Sequence, residues 1–173
     1  MRGMESMLRF LVVASALCVA YARPLSAQDD VGLPVGRAVT SSIPVENLDG
    51  QPVDLASYVG KKPVLIEFWA TWCPLCRALL PKIEAAHQRY GDKVEFVVVA
   101  VAVNESKRSV KRHLQEHAIP FTFVWDGNGA AVRAFEAPST SYIVALDARG
   151  KVAYTGLGDK QDIEAAVKKA LGG

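Results

Sequence analysis

Val64-Leu-Ile-Glu-Phe-Trp-Ala-Thr-Trp-Cys-Pro-Leu-Cys76 is the stretch on which the reading of this chain turns. Residues 63–69 are apolar apart from Glu67, which predicts a central strand covered on both faces. A short turn follows, and the two cysteines open a helix predicted over 74–90. Pro74 falls near the first helical position, where its missing N–H leaves nothing unpaired. A sulfur at that place meets helix amides and the positive end of the dipole, which favour an anion. The Cys73 pKa is therefore expected to fall, giving a thiolate near neutral pH. Two residues between the sulfurs suit one helical turn, so Cys76 can reach back and close a disulfide. The other readings of the pair are a structural disulfide and half of a zinc site. A zinc site needs about four ligands, and the sequence holds no second pair of cysteines.

Trp72-Cys73-Pro74-Leu75-Cys76 at the end of an apolar strand resembles the pattern of the thioredoxin superfamily. Glu67, six residues before Cys73, stands where thioredoxins carry a buried acid. A carboxylate inside a hydrophobic strand is unfavourable unless partnered or protonated, and burial raises its pKa. The resemblance then implies that Glu67 accepts the proton of Cys76 during disulfide exchange, directly or through a water. The bland alternative turns Glu67 to solvent at a sheet edge.

The 173 residues suit one domain plus a leader, and half of them are apolar, enough for an ordinary core. The net charge of +2 is matched by the leader alone, with Arg2, Arg9 and Arg23 against Glu5. The remainder is close to neutral, so neither nucleic acid nor a charged membrane surface is expected as a partner. Arg2 and Arg9 precede or open an apolar run, Phe10 to Ala22, too short for a comfortable membrane span. Residues 1–27 are read as a signal peptide cut after Ala27, residues 28–42 as a flexible lead-in, and residues 43–173 as the folded domain. An uncut leader would anchor the protein to the membrane. Cys18 lacks the usual lipobox order before it and leaves with the leader, so the mature chain keeps only Cys73 and Cys76. A disulfide-stapled scaffold is a poor account of such a chain.

Ile43 to Leu55, with Asp49-Gly50 at its centre, reads as a hairpin. Its order Leu-Asp-Gly-x-x-Val-x-Leu before the redox strand resembles the TlpA/ResA branch of exported bacterial thiol oxidoreductases. Along the helix over 74–90, Leu75, Leu79, Ile83 and Ala86 give the spacing of a buried stripe. Pro81 should kink that helix, and Gly91 should end it. Val94 to Val103 predicts a second interior strand. A helix is expected from Asn104 to His117, capped by the asparagine or a serine. Arg108, Lys111 and Arg112 give it a basic face, read as solvated. His113 and His117 lie four apart but are too few to hold a metal, so they are read as surface residues. Ile119 to Val124 predicts a strand, 126–129 a turn, and Val132 to Phe135 a short strand or helical piece. Residues 141–147 and 151–155 form a hairpin about Gly150, and 162–171 a last amphipathic helix. The Ile119–Gly129 insert again resembles the TlpA branch. The expected fold is α/β and thioredoxin-like: a central mixed sheet flanked by helices on both faces, with an N-terminal hairpin and a βα-type insert.

The family carries a cis-proline before the strand that faces the cysteines. Here the sequence reads Ala137-Pro138-Ser139-Thr140-Ser141-Tyr142. Counting back from Gly150 without gaps puts Ser141 at that position, with Thr140 before it. Pro138 takes the role if the loop is shifted by three residues, and an X-Pro bond is cis in only about one case in twenty. A serine there would make the groove more polar. The resemblance implies a substrate groove framed by Trp69, Trp72, Pro74, Pro138, Thr140 and Ser141. Cys73 would attack and Cys76 resolve.

The chain is thus expected to be an exported, periplasmic or envelope thiol–disulfide oxidoreductase, monomeric, with no cofactor and no metal. Kinship implies oxidised protein clients such as cytochrome c precursors or copper-delivery proteins, and recharging by a DsbD-like donor. Two other readings stand beside it. One is a disulfide oxidant or isomerase, since Pro-Leu between the sulfurs does not set the potential. The other is a copper-binding module, disfavoured because Met1, Met4 and Met7 are the only methionines and all lie in the leader. A peroxiredoxin-like peroxidase would need Pro-x-x-x-Thr before its cysteine, which is missing.

Overall fold

The computed structural model describes residues 32–172. The expected signal peptide, its cut site and Cys18 lie outside the described residues. A seven-stranded sheet runs through the centre in the order β2-β1-β5-β4-β3-β6-β7. The strands are β1 (Pro44–Glu46), β2 (Pro52–Asp54), β3 (Val64–Trp69), β4 (Glu95–Val101), β5 (Thr122–Asp126), β6 (Tyr142–Leu146) and β7 (Val152–Leu157). The helices are α1 (Pro74–Tyr90), α2 (Lys107–Glu116), α3 (Ala130–Ala134) and α4 (Ile163–Leu171).

β3, β4 and β5 run parallel, joined by α1 and α2 as crossover helices. β6 and β7 form an antiparallel hairpin beside β3. The β1–β2 hairpin joins the other edge through Glu46 opposite Trp125. Every residue of β3 is buried, as its position between β4 and β6 demands. Side chains alternate across the strand. Val64, Ile66 and Phe68 join a core with Leu55, Phe135 and Tyr142. Leu65 points the other way, into a core with Leu79 and Ile83 of α1 and Val167 of α4.

The helix after the cysteines spans the predicted residues and passes through Pro81 without a break. Its buried stripe is Cys76, Leu79, Ile83 and Ala86. Leu75, expected in that stripe, is 45% exposed instead. The reason is angular: Cys76, one position on, takes the core-facing place and turns Leu75 to solvent. Gly91 ends the helix with φ −58°, so it acts without left-handed backbone. In α2 the cap is Ser106, in a reciprocal box with Ser109.

The described part of the lead-in is held rather than loose. Gly36 N–H donates to Val152 O at 2.7 Å and Val39 N–H to Gly150 O at 2.9 Å. Leu33 is buried, and its N–H donates to the Tyr142 hydroxyl at 3.0 Å. The bonds to Gly150 and Val152 lie at the start of β7, an edge strand whose free backbone groups accept another segment.

Candidate active site

Cys73 caps the N-terminus of α1. Its sulfur accepts the Cys76 N–H at 3.1 Å, so a helix amide points at the atom that would carry charge. Cys73 and Cys76 form a disulfide with their Cα atoms 5.3 Å apart. Both cysteines are buried, Cys73 2% exposed and Cys76 fully enclosed.

The turn before Cys73 is held from 34 residues away. The Glu105 carboxylate accepts the Thr71 N–H at 2.8 Å and the Thr71 hydroxyl at 2.5 Å. It also accepts the Ser106 N–H at 3.1 Å and the Ser109 hydroxyl. Burial pushes the Glu105 pKa up, but hydrogen bonds from Ser109, Thr71 and Ser106 outweigh it and hold the pKa below the ordinary value. Trp72 Nε1–H donates to Val103 O at 2.9 Å, fixing the indole beside Cys73. Sequence reasoning missed Glu105; a carboxylate just before a helix cap was the only local sign.

Glu67 is 2% exposed, so the solvent-facing alternative is ruled out. Its neighbours across the sheet are Val98 and Ile143. Alternation puts it on the face of Leu65, the side that Leu79 and Ile83 of α1 cover. Its Oε1 is sealed from solvent without a hydrogen-bond partner among the described residues. Desolvation pushes its pKa from 4.5 up to about 8, so the side chain is neutral at pH 7.

An apolar groove of about 250 Å³ opens beside Trp72, on the other face of β3. Phe68, Trp72, Val101, Val103, Pro138 and Thr140 are among its lining residues. Trp72, Leu75 and Val103 are large apolar residues left exposed around the motif.

Of the expected groove residues, Trp72, Pro138 and Thr140 come together there. Trp69 does not: it is 4% exposed and packs edge-on against Phe123 and beside His113, with ring centroids 5.6 and 5.4 Å away. Strand alternation sends Phe68 to the groove and Trp69 to the opposite face. His113 is accordingly half-buried rather than a free surface residue. Pro74 is exposed at the first turn of α1 and is not part of the groove lining. Ser141 is fully buried behind the wall with φ +59°, and its N–H donates to Phe68 O at 2.7 Å. It therefore lies alongside the end of β3, immediately before β6. All described peptide bonds, including those before Pro138 and Ser141, are trans.

The Redoxin family profile matches residues 34–171. The chain belongs to the Redoxin family. This Redoxin chain is 30% identical over 129 residues to the thioredoxin-like protein YneN of Bacillus subtilis, with 73% of each chain covered. It is 30% identical over 132 residues to the thiol-disulfide oxidoreductase ResA of Geobacillus thermodenitrificans, covering 73% of this chain and 75% of the other. Among solved structures, the thioredoxin domain of a thiol-disulfide oxidoreductase from Bacteroides vulgatus aligns with a TM-score of 0.67 at 21% identity, over 79% of this chain and 97% of that one. A secreted disulfide oxidoreductase of Mycobacterium tuberculosis aligns at 0.61 and 23%, over 75% and 95%. At these identities the solved structures speak for the thioredoxin-like fold, and the Redoxin match and named relatives for the activity. The protein is a thiol–disulfide oxidoreductase of the thioredoxin superfamily in the TlpA/ResA group.

Proposed function

We propose that the protein reduces disulfides of exported proteins through the Cys73/Cys76 dithiol, with Cys73 as nucleophile, Cys76 as resolving thiol and Glu67 as proton acceptor. The single observation that carries this is the Cys76 N–H aimed at Cys73 Sγ at 3.1 Å at the mouth of α1. In the reduced protein that amide and the helix end stabilise a Cys73 thiolate. The thiolate attacks one sulfur of the client disulfide. The client S–S bond breaks, its other sulfur leaves as a thiolate that takes a proton from water, and a mixed disulfide forms. The ionised form of Glu67, the minor one at pH 7, then takes the proton of Cys76, whose thiolate attacks Cys73 Sγ. The mixed disulfide breaks, the second client sulfur leaves as a thiolate that takes a proton from water, and Cys73–Cys76 is oxidised. The client has gained two electrons.

Glu67 suits its step. A carboxyl lifted to about 8 lies near the ordinary thiol range, so the proton moves between groups of similar affinity. The cycle also ends with Glu67 protonated, which is the form its pKa favours at neutral pH beside the disulfide. Trp72, Pro138 and Thr140 form a groove for an apolar, extended client segment next to its cysteine. That reading is supported by the groove's continuity with Trp72 and by the exposed apolar rim of Leu75 and Val103.

Export to the periplasm or envelope rests on the leader read in the sequence. No helix among the described residues is long and apolar enough to cross a membrane. Cytochrome c precursors or copper-delivery proteins as clients, and a DsbD-like donor to restore the dithiol, follow from the TlpA/ResA kinship. Cys76→Ser, expressed with its leader, is expected to accumulate mixed disulfides with envelope proteins through Cys73, identified after non-reducing separation. A variant that captures nothing counts against exchange with protein clients. The equilibrium with glutathione tests the direction, and a strongly oxidising potential would reject the reductant role.

A further inference from the structure

We propose that Gln161 is a specificity-determining positioning residue, whose buried side chain latches Ser141 and thereby sets the groove wall that reads the client chain. The inference rests on the proposed client groove and deepens it. Gln161 is 8% exposed and lies between β7 and α4, remote in sequence from the cysteines. Its Nε2 donates to Ser141 O at 3.1 Å and to Gly158 O at 2.7 Å. Its Oε1 accepts the Tyr154 hydroxyl at 3.2 Å. Gly158 N–H returns to Ser141, 3.2 Å from both its hydroxyl and its carbonyl oxygen. A Cβ on Gly156 would lie 2.3 Å from both Gln161 Oε1 and the Tyr154 hydroxyl, so the missing side chain makes room for the bond. Lys82 of α1 donates to Asp159 O at 2.6 Å and to Gln161 O at 3.3 Å, tying the latch to the helix that carries the cysteines.

What the latch holds is the end of a loop with little support of its own. Pro138 and Ser139 are exposed, Thr140 enters a turn with Ser141, and no side-chain hydrogen bond ties Ser139 or Thr140 to a distant element among the described residues. The loop hangs between Ala137, whose N–H donates to Val132 O at 2.9 Å, and Ser141. Ser141 keeps φ +59°, a region that non-glycine residues enter infrequently and leave unless surrounding bonds hold them. Its bonds to Phe68, Gly158 and Gln161 supply that hold. A small movement at Ser141 would displace Pro138 and Thr140 relative to Phe68 and Trp72. Such a shift alters contacts with a peptide lying in the groove, while a small disulfide that needs only Cys73 is less affected.

The test compares Gln161→Leu with wild type in reduction of two oxidants, insulin as the protein disulfide and oxidised glutathione as the small one. The expected result is a fall of about tenfold in the ratio of the insulin rate constant to the glutathione rate constant, carried by KM for insulin. Gln161→Glu, which keeps the shape but cannot donate to the two carbonyls, should fall in the same direction. Tyr154→Phe removes one hydroxyl from the same network, and a smaller fall of the ratio in it supports the latch even if the Gln161 variants do not fold. Equal losses toward both oxidants in the folded variants, or an unchanged ratio in all of them, would overturn the inference. A wild-type protein that exchanges with oxidised glutathione but not with insulin overturns the client groove and the latch together. One that exchanges with neither overturns the role of Cys73 as well.

Discussion

Glu67 and Asp126 are both sealed in the sheet, 2% and 1% exposed, and each has an oxygen with no partner among the described residues. They differ in company. Asp126 ends β5 and turns its other oxygen to the Val132 N–H at 2.9 Å, closing the turn that leads into α3. Glu67 sits in mid-strand, its Oε1 has no partner among the described residues, and burial alone drives its pKa up. A buried carboxyl with a backbone donor is part of the scaffold; one without is left to hold a proton. The contrast separates structural from chemical use of the same group, and substitutions at three positions can break or sharpen it.

Glu67→Gln should have the largest effect. If Glu67 takes the proton of Cys76, disulfide exchange slows by about a hundredfold, measured as the second-order rate with a protein disulfide. The same substitution should change stability in a pH-dependent way. The folded pKa is raised, so between 4.5 and about 8 the folded state holds a proton that the unfolded chain has released. Wild-type stability then falls as pH rises through that window, by on the order of a few kcal/mol. Urea titrations from pH 5 to 9 should show this slope in wild type and its loss in Glu67→Gln. A slope that survives the substitution would remove Glu67 from the account.

Asp126→Ala should act in the opposite register. It leaves the Val132 N–H unpaired and is expected to destabilise the fold by about 1–3 kcal/mol, read in the same urea titrations. Its exchange rate should stay within about threefold of wild type, since nothing places Asp126 beside the sulfurs. A hundredfold loss of exchange with unchanged stability would erase the distinction between the two carboxyls.

Glu105→Ala tests a third carboxylate that is neither orphaned nor fully buried. With Thr71 released, the turn into Cys73 loosens and exchange should slow by about tenfold, whereas Glu105→Gln, which keeps an acceptor oxygen, should retain most of the rate. The Glu105 pKa is held low, so its contribution is present above the ordinary carboxylate range and is lost as pH falls through the folded value. Wild type and Glu105→Ala should therefore converge in acid.

Local chemistry made much of this legible. Near-continuous apolar runs marked β3 and β4, because a strand covered on both faces has no polar side to show. Asp49-Gly50 marked the first hairpin, and Pro74 opened the helix that the cysteines precede. The pair Cys73 and Cys76 and the burial of Glu67 were likewise written in a short span, since a reactive sulfur at a helix mouth needs only its immediate neighbours. What the sequence could not show is what distant segments do to one another. The lead-in has the composition of a loop, yet its described residues Gly36, Arg37 and Val39 hydrogen-bond to Gly150 and Val152 at the start of an edge strand. The resemblance puts Trp69 in the groove, and the pleat turns it to α2 instead. Glu105 and Gln161 reach the site only through the fold, one clamping Thr71 across 34 residues and the other Ser141 across 20. Residue types and local spacing determine which atoms can do the chemistry. Which of them meet, and how firmly the walls around them are held, is decided only when the chain closes on itself, because hydrogen bonds between remote segments depend on three-dimensional register and leave no period in the sequence.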